Sequence, residues 1–131
     1  MKTRKITHIA IWANDLELLR QFYTKYFGMT CGDKYTNPSK HFQSYFLSFE
    51  DDDTRIELMH IPDLVSPPER EKMMGLTHLA ISVGDKDTVD SLTMQLQTEG
   101  YCVLSHPRTT GDGYYESVVS DPEGNRIEIT V

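Results

Sequence analysis

Two histidines and two glutamates stand at equivalent places in a repeated sequence. His8 lies in "THIAIWAND" (7–15) and His78 in "THLAISVGD" (77–85), and these segments share Thr, His, Ala, Ile and Asp. Further on, "DDDTRIEL" (51–58) aligns with "PEGNRIEI" (122–129), so that Arg-Ile-Glu recurs and ends on Glu57 and on Glu128. Glu57 follows His8 by 49 residues, and Glu128 follows His78 by 50. The repeat predicts two copies of one structural unit, each opening on His and closing on Glu.

These residue types have a definite coordination chemistry. Imidazole nitrogen and carboxylate oxygen form a mixed ligand set that suits Zn, Ni, Co, Fe or Mn rather than a soft thiolate site. A single strand histidine is usually a surface or hydrogen-bonded residue, and a single glutamate is usually solvated, but four such residues in repeat register favour a shared site. We therefore predict that one divalent metal ion, Zn or Ni in preference to Co, Mn or Fe, is bound by His8, Glu57, His78 and Glu128.

The elements that position these residues follow from hydrophobic periodicity. "HIAIWA" alternates with period two, as a strand does, and Asp15 then stands at a helix N-cap before apolar residues at helical spacing that end at Gly28. Later β-rich runs include "HFQSYFLSF" (41–49) and "TRIELMHI" (54–61), so that one copy is β-α-β-β-β. The second copy predicts these elements: a strand at 77–83, a helix from Asp85 to Glu99 stopped by Gly100, and strands near 101–105, 114–120 and 126–131.

The chain length of 131 residues predicts a single domain made of both copies. We place module 1 at 4–61 and module 2 at 76–131. Between them, "PDLVSPPEREKMMG" (62–75) carries three prolines and predicts a loop linker. Two units of about 60 residues are marginal alone, which favours packing against each other. Exposed sheet edges favour a homodimer, and the sequence leaves open whether modules pair within one chain or between two chains.

Composition excludes several classes of function. Thirteen basic and twenty acidic side chains leave a net charge of −7, so that a nucleic acid would be repelled. No apolar run approaches the roughly 18 residues of a membrane helix, and the short apolar run at the N-terminus is interrupted by His8. We expect a cytoplasmic protein that acts on a small molecule, with Cys31 and Cys102 as free thiols. "EDDD" (50–53) is expected to be a solvated hairpin turn.

The segments "THIAIWANDLELLRQFYTKYFGM", "RIEL", "THLAISV" and "DPEGNRIEI" resemble the vicinal oxygen chelate superfamily, and the resemblance covers nearly the whole chain. This superfamily includes lactoylglutathione lyases, methylmalonyl-CoA epimerases, extradiol dioxygenases, fosfomycin-resistance thiol transferases and bleomycin-binding proteins. The resemblance implies an α+β fold in which two tandem β-α-β-β-β modules form a cupped mixed sheet around a metal site.

The ligand order His, Glu, His, Glu is similar to that of lactoylglutathione lyases. Epimerases of the superfamily usually have Gln in the second place, and its dioxygenases and fosfomycin transferases use two His and one Glu. The resemblance therefore implies a metal-dependent lyase or isomerase, in which a carboxylate moves a proton next to a metal-chelated carbonyl or hemithioacetal. Glu57 and Glu128 are the candidate catalytic residues, and we favour Glu128 as the base. A dioxygenase, thiol transferase or epimerase, or a metal-free drug-binding protein, remains the alternative.

The chain also departs from the lyase pattern. Bacterial lactoylglutathione lyases tend to carry an Arg for a glutathione carboxylate four residues after the first ligand, where this chain has Trp12. They also tend to place an Asn shortly after the first Glu ligand, where this chain has His60 and Ile61. Trp12 instead suggests stacking on a planar or apolar substrate group. We predict substrate contacts by Trp12, Arg55 and Tyr115, with Arg126, Tyr45 and His41 as further candidates.

Overall fold

The structure has two mixed sheets, one for each copy of the repeat. In each sheet, the repeated segment that contains His forms the first strand along the chain, and the segment that contains Arg-Ile-Glu forms the last. The computed structural model describes residues 2–131, and its chain divides into one compact unit that ends at Val65 and another that runs from Ser66 to Val131. Each unit has one long helix and one sheet. The predicted α+β class, with two repeated modules, is confirmed.

The elements of the first unit are β1 (His8–Trp12), α1 (Leu16–Phe27), β2 (Thr30–Cys31), β3 (Tyr35–Asn37), β4 (Phe42–Ser48) and β5 (Arg55–His60), with a short 3₁₀ helix at Pro38–Lys40. Its sheet has the strand order β1-β5-β4-β2, with β3 also paired to β4. Strands β1 and β5 are parallel neighbours, and the other pairings are antiparallel. A connection through a helix is what allows two strands of one unit to run parallel.

The second unit repeats this arrangement. The elements are β6 (His78–Ser82), α2 (Lys86–Thr98), β7 (Val103–Thr109), β8 (Tyr115–Ser120) and β9 (Arg126–Thr130), with a 3₁₀ helix at Arg70–Lys72. Its sheet has the order β6-β9-β8-β7, in which β6 and β9 are parallel neighbours.

Both helices begin and end where the sequence predicts. The carboxylate of Asp15 accepts a hydrogen bond from Leu18 N at 3.0 Å, and that of Asp85 accepts one from Thr88 N at 2.8 Å. These N-caps satisfy amide groups that have no partner within the helix. Gly28 ends α1 at a φ of 67°, a left-handed conformation that costs glycine little.

A core lies between the helix and the sheet of each unit. The apolar side chains that are fully buried come from one face of each helix and from alternate positions of the central strands. Burial of each such side chain is worth about 1.5–3 kcal/mol relative to leaving it in water. The largest are Leu19, Phe22, Tyr23, Leu47 and Leu58 in the first unit, and Val89, Leu96, Val119, Ile127 and Ile129 in the second.

Two parts of the fold differ from the sequence prediction. Strand β7 spans Val103–Thr109, further along the chain than the expected 101–105, and it continues through Pro107. Proline is tolerated there because β7 is an edge strand and its pairing with β8 is interrupted by register shifts. Part of the predicted linker, from Ser66 onwards, clusters with the second unit and contains the 3₁₀ helix at Arg70–Lys72.

Other features agree with the sequence. Residues 49–54 form the turn between β4 and β5, and Cys31 and Cys102 are free thiols. In residues 2–131, neither helix has the length and apolar character needed to cross a bilayer.

A cluster of polar side chains ties α1 to the sheet of the first unit. The carboxylate of Glu17 accepts a hydrogen bond from the Tyr45 hydroxyl at 2.7 Å and lies 2.9 Å from Lys34 Nζ. Arg20 Nε donates to the same carboxylate at 3.1 Å. The hydrogen bonds from Lys34 and Tyr45 lower the pKa of Glu17 to about 2. The charged form of Glu17 is therefore favoured by folding.

We expect Glu17→Gln to destabilise the protein at neutral pH by less than about 1 kcal/mol, since the carboxylate is partly exposed and water screens its ion pairs. The folded pKa of Glu17 is depressed, so its contribution is present above the unfolded value near 4.5 and is lost as the pH falls towards 2. Urea unfolding of both proteins at several pH values measures this. The exposed turn residue Glu50 supplies a control, Glu50→Gln, and an equal loss of stability in both variants would contradict the assignment.

Candidate functional site

Each sheet has a helix face, which packs against the helix of its unit, and an opposite face that we call the site face. On β1, His8, Ala10 and Trp12 alternate with the less exposed Ile9 and Ile11. On the neighbouring strand β5, Arg55, Glu57 and Met59 alternate with the buried Ile56 and Leu58. The two strands are parallel and in register, with His8 opposite Arg55 and Ala10 opposite Glu57. The alternation therefore places these polar side chains together on the site face.

His8 and Glu57 form a pair on the site face of the first unit. His8 Nε2 lies 3.6 Å from Glu57 Oε1, and its Nδ1 lies 3.0 Å from the Thr7 hydroxyl oxygen. The ring of Phe46 meets the imidazole edge to face, with centroids 5.4 Å apart. The guanidinium group of Arg55 lies over the Phe46 ring, with its carbon 4.1 Å from the ring centre. Contacts with Thr7 and Phe46 therefore hold the imidazole so that Nε2 faces the carboxylate of Glu57.

The second unit contains the same arrangement. His78 Nε2 lies 3.2 Å from Glu128 Oε2, and its Nδ1 lies 2.8 Å from the Thr77 hydroxyl oxygen. The register also repeats, with His78 opposite Arg126 and Ala80 opposite Glu128. Both predicted His–Glu pairs are thus brought together within their own units.

The geometry of each pair fits two ligands of one metal ion. Donor atoms bound at about 2.0–2.2 Å, with an angle near 90–110° between them, lie about 3.0–3.5 Å apart. The nitrogen–oxygen distances of 3.6 Å and 3.2 Å are close to this separation. Within residues 2–131, however, no group of three or more His, Cys, Asp or Glu side chains is arranged to hold a metal ion. Each pair alone is an incomplete ligand set, and convergence of all four residues stays a prediction.

Trp12, Arg55 and Arg126 lie on the site faces, and their contact with a substrate stays a prediction. Trp12 is 48% exposed and pairs in register with Met59 on β5. Arg55 is on the same strand and face as Glu57, and Arg126 occupies the equivalent place beside Glu128. The first unit thus presents an exposed aromatic surface next to its His–Glu pair.

Three other candidates are placed elsewhere. The Tyr115 hydroxyl hydrogen-bonds to Asp90 of α2, and Tyr115 shares the helix face with the buried Ser117. Tyr45 likewise contacts α1 through Glu17. His41 is exposed at the end of the short 3₁₀ helix, in a left-handed conformation. The structure does not bring Tyr115 or Tyr45 to the site face, because strand alternation directs both of them at a helix.

Sequence reasoning missed two kinds of residue at this site. Thr7 and Thr77 hold the imidazoles, and their recurrence in "TH" was an available signal. Glu116 on β8 hydrogen-bonds to Glu128, and partial burial together with this bond raises the pKa of Glu116. Its register equivalent in the first unit is Ser44, so the repeat contains no signal for Glu116.

The chain matches a family model described as the Glyoxalase/Bleomycin resistance protein/Dioxygenase superfamily over residues 5–129. No curated protein matches the chain.

Solved structures have a similar fold. Leishmania major glyoxalase I, described as trypanothione-dependent, is 25% identical with a TM-score of 0.75, covering 98% of this chain and 86% of that chain. A glyoxalase family protein from Enterococcus faecalis is 22% identical with a TM-score of 0.79, covering 98% of each chain. Glyoxalase I from Zea mays is 22% identical with a TM-score of 0.78, and the match covers 96% of this chain. The chain spans only 44% of the maize protein.

The Thr77 hydroxyl can donate to His78 Nδ1 while Glu128 accepts from Nε2–H, so we expect the Nε2–H tautomer in metal-free protein. In Glu128→Ala, loss of about 1 kcal/mol of hydrogen bonding should lower the ratio of this tautomer to the other about fivefold, because a carboxylate can only accept. Imidazole ¹⁵N chemical shifts at alkaline pH measure the ratio. Thr77→Val is the control and should leave the ratio nearly unchanged, because a hydroxyl can pair with either tautomer, whereas an unchanged ratio in Glu128→Ala would contradict the assigned role.

Proposed function

The chain belongs to the Glyoxalase/Bleomycin resistance protein/Dioxygenase superfamily, and we propose that within it the protein is a metal-dependent lyase or isomerase of the glyoxalase type. The observation that supports this proposal is the recurrence of one His–Glu pair, at 3.6 Å and 3.2 Å, on the site face of both units. Other positions of the site faces differ between the units, since Trp12 and Met59 are replaced by Ser82 and Thr130. The His–Glu pair and the threonine at Nδ1 are the same in both, which supports a shared role as ligands.

We propose that four residues bind one divalent ion, Zn or Ni in preference to Co, Mn or Fe: His8, Glu57, His78 and Glu128. Two neutral imidazoles and two carboxylates balance a charge of +2. The hydroxyls of Thr7 and Thr77 serve the ligands because a hydroxyl can accept from Nδ1–H as well as donate to Nδ1. They therefore fix the ring orientation when Nε2 loses its proton to bind metal.

A bound divalent ion would polarise the oxygens of a substrate carbonyl or hemithioacetal and lower the pKa of the adjacent carbon acid. The chain must supply the base that moves the proton between neighbouring carbons. We propose Glu128 as this base, with Glu57 as the other candidate. Glu128 has a hydrogen-bonded carboxyl neighbour in Glu116, whereas Glu57 lies opposite Phe46 in the sheet. A second carboxyl group beside Glu128 offers a place to hold a proton during the transfer.

The site face of the first unit points to a substrate with an apolar or planar group. Trp12 and Met59 lie side by side there, and the Phe46 ring lies between His8 and Arg55. Aromatic faces of this kind bind planar groups by stacking. We propose that Trp12 contacts such a group and that Arg55 contacts a polar part of the same substrate. A homodimer in the cytoplasm remains our expectation for the working form.

Metal binding is the first test. Chelator-treated protein should take up about one Zn or Ni ion per chain, measured by isothermal titration and by elemental analysis. His78→Ala and Glu57→Ala should each weaken binding by at least a hundredfold, since loss even of a group that only supports a ligand costs 10–100-fold. His41→Ala, which removes an exposed histidine outside the pairs, should bind as the parent does.

Mixed oligomers show whether the four ligands of one metal site come from one chain or from two chains. If each site uses the first unit of one chain and the second unit of another, co-expressed His8→Ala and His78→Ala chains regain one intact site per mixed dimer. If each chain completes its own site, the mixture binds no metal tightly. Uptake that is unaffected by His8→Ala, His78→Ala and Glu57→Ala would refute the metal site and favour the metal-free binding protein.

Turnover of hemithioacetals tests the reaction. We expect the metal-loaded protein to convert the methylglyoxal–glutathione adduct slowly or not at all, because Trp12 occupies the place of an arginine. Trp12→Arg should raise this rate, and Trp12→Leu should not. The adduct of an aromatic thiol should be the better substrate of the parent protein. Rates are followed by ultraviolet absorbance of the thioester product.

The same assay tests the base. Glu128→Gln protein that has been loaded with metal should lose turnover of the aromatic adduct, while Glu57→Gln, loaded in the same way, should retain part of it. Rapid conversion of the glutathione adduct by the parent protein would show that Trp12 does not exclude it.

A further inference from the structure

A cavity of about 490 Å³ lies in the second unit, between the 3₁₀ helix and the ends of β7, β8 and β9. Its lining combines three cationic side chains, Arg70, Lys72 and Arg126, with two acidic ones, Glu69 and Glu71, and with apolar residues such as Leu104 and Pro67. In a chain whose net charge is −7, cationic side chains outnumber acidic ones in this concavity.

Arg70 is fixed in the cavity by the turn between β8 and β9. Its guanidinium donates to the Asn125 side-chain oxygen at 2.8 Å and to the Glu123 carbonyl oxygen at 3.2 Å. Asn125 is held in turn by the buried Asp121, which accepts from the Asn125 side chain at 2.8 Å. Both acceptors of Arg70 are neutral oxygens, so these bonds orient the guanidinium without neutralising its charge. A guanidinium has five N–H groups and can still bind an anion.

Gly124 of the same turn lies against Arg70. Its φ is +87°, and a Cβ at this position would lie in ordinary van der Waals contact with Arg70, 3.5 Å from Nε.

Arg126 has an ion pair that a ligand can replace. Its guanidinium nitrogen lies 3.4 Å from a carboxylate oxygen of Glu71, whose side chain is 73% exposed. A pair of this length at the surface contributes little, typically below about 1 kcal/mol. The carboxylate or phosphate of a ligand can therefore displace Glu71 and make bidentate hydrogen bonds to Arg126.

The cavity adjoins the His–Glu pair of the second unit. Arg126 lies opposite His78 in register and two residues before Glu128, on the same face of β9. Residues two apart on a strand are separated by about 6.5–7 Å. A small molecule with its anionic end at Arg126 thus spans a short distance to the His78–Glu128 pair.

We propose that this cavity binds the anionic end, a carboxylate or a phosphate, of the small molecule that reacts at the His–Glu pair. Arg126 and Arg70 bind the anion, Lys72 adds positive charge, and Leu104 and Pro67 contact the alkyl part next to it. This assignment of substrate class rests on the proposed function, but the anion site itself needs no metal. With its anionic end in this cavity, the substrate is an organic acid or a phosphate ester.

The test uses chelator-treated full-length protein that is titrated with inorganic phosphate, with succinate and with neutral succinamide, and is followed by ¹H–¹⁵N NMR. We expect saturable shifts for phosphate or succinate that centre on residues 69–72 and 120–126, and none for succinamide. Tighter binding of phosphate indicates a phosphate group on the substrate, and tighter binding of succinate indicates a carboxylate group. Arg126→Gln should weaken binding about tenfold, as loss of a charge-assisted hydrogen bond does.

Arg4→Gln is the matched control, since it removes the same charge from an exposed site in the first unit and should leave binding unchanged. Lys72→Gln is a second cavity variant that leaves the hydrogen bonds of Arg70 intact, and should weaken binding several-fold. Equal effects of Arg126→Gln and Arg4→Gln, or shifts that do not saturate, would overturn the anion site. Metal titration of the same samples is independent of this result, so that failure of the anion site and failure of the metal site are separate outcomes.

Discussion

The parallel pairing of the first and last strands is the constraint on which each unit depends. In the first unit β1 pairs with β5, and in the second β6 pairs with β9, with matching registers. A helix must connect the two halves of such a pairing, and its apolar face buries one side of the sheet. The side chains of the other face do not pack against this helix. A shift of one residue in the register would turn His8 or Glu57 into the core, so the burial of Ile56 and Leu58 also sets the geometry of the site.

The pairs show how ordinary strand geometry brings an imidazole and a carboxylate together. Two adjacent strands supply one imidazole and one carboxylate, and the residue before each histidine supplies a hydroxyl to Nδ1. Nothing in this arrangement requires a loop to be ordered. The repeated unit therefore forms its His–Glu pair as a consequence of its secondary structure.

The two units have diverged on their site faces. The first presents Trp12 and Met59 near its His–Glu pair, whereas the second has Ser82 and Thr130 at the equivalent positions and adds Glu116. The site face of the first unit is therefore the more apolar of the two, although both contain the same His–Glu pair.

The sequence by itself determined the repeat, the α+β class, the helix ends at Asp15 and Gly28, and the pairing of His with Glu in each unit. These follow from local rules, since period-two alternation, N-caps and left-handed glycines depend on neighbours in the chain. Only the tertiary structure decided that Tyr115 and Tyr45 contact helices, that Glu116 reaches Glu128, and that Arg70 packs on the turn before β9. Those contacts join residues whose separation along the chain carries no periodic signal. They depend on which strands become neighbours and in which register, and that choice is made by burial of the whole core.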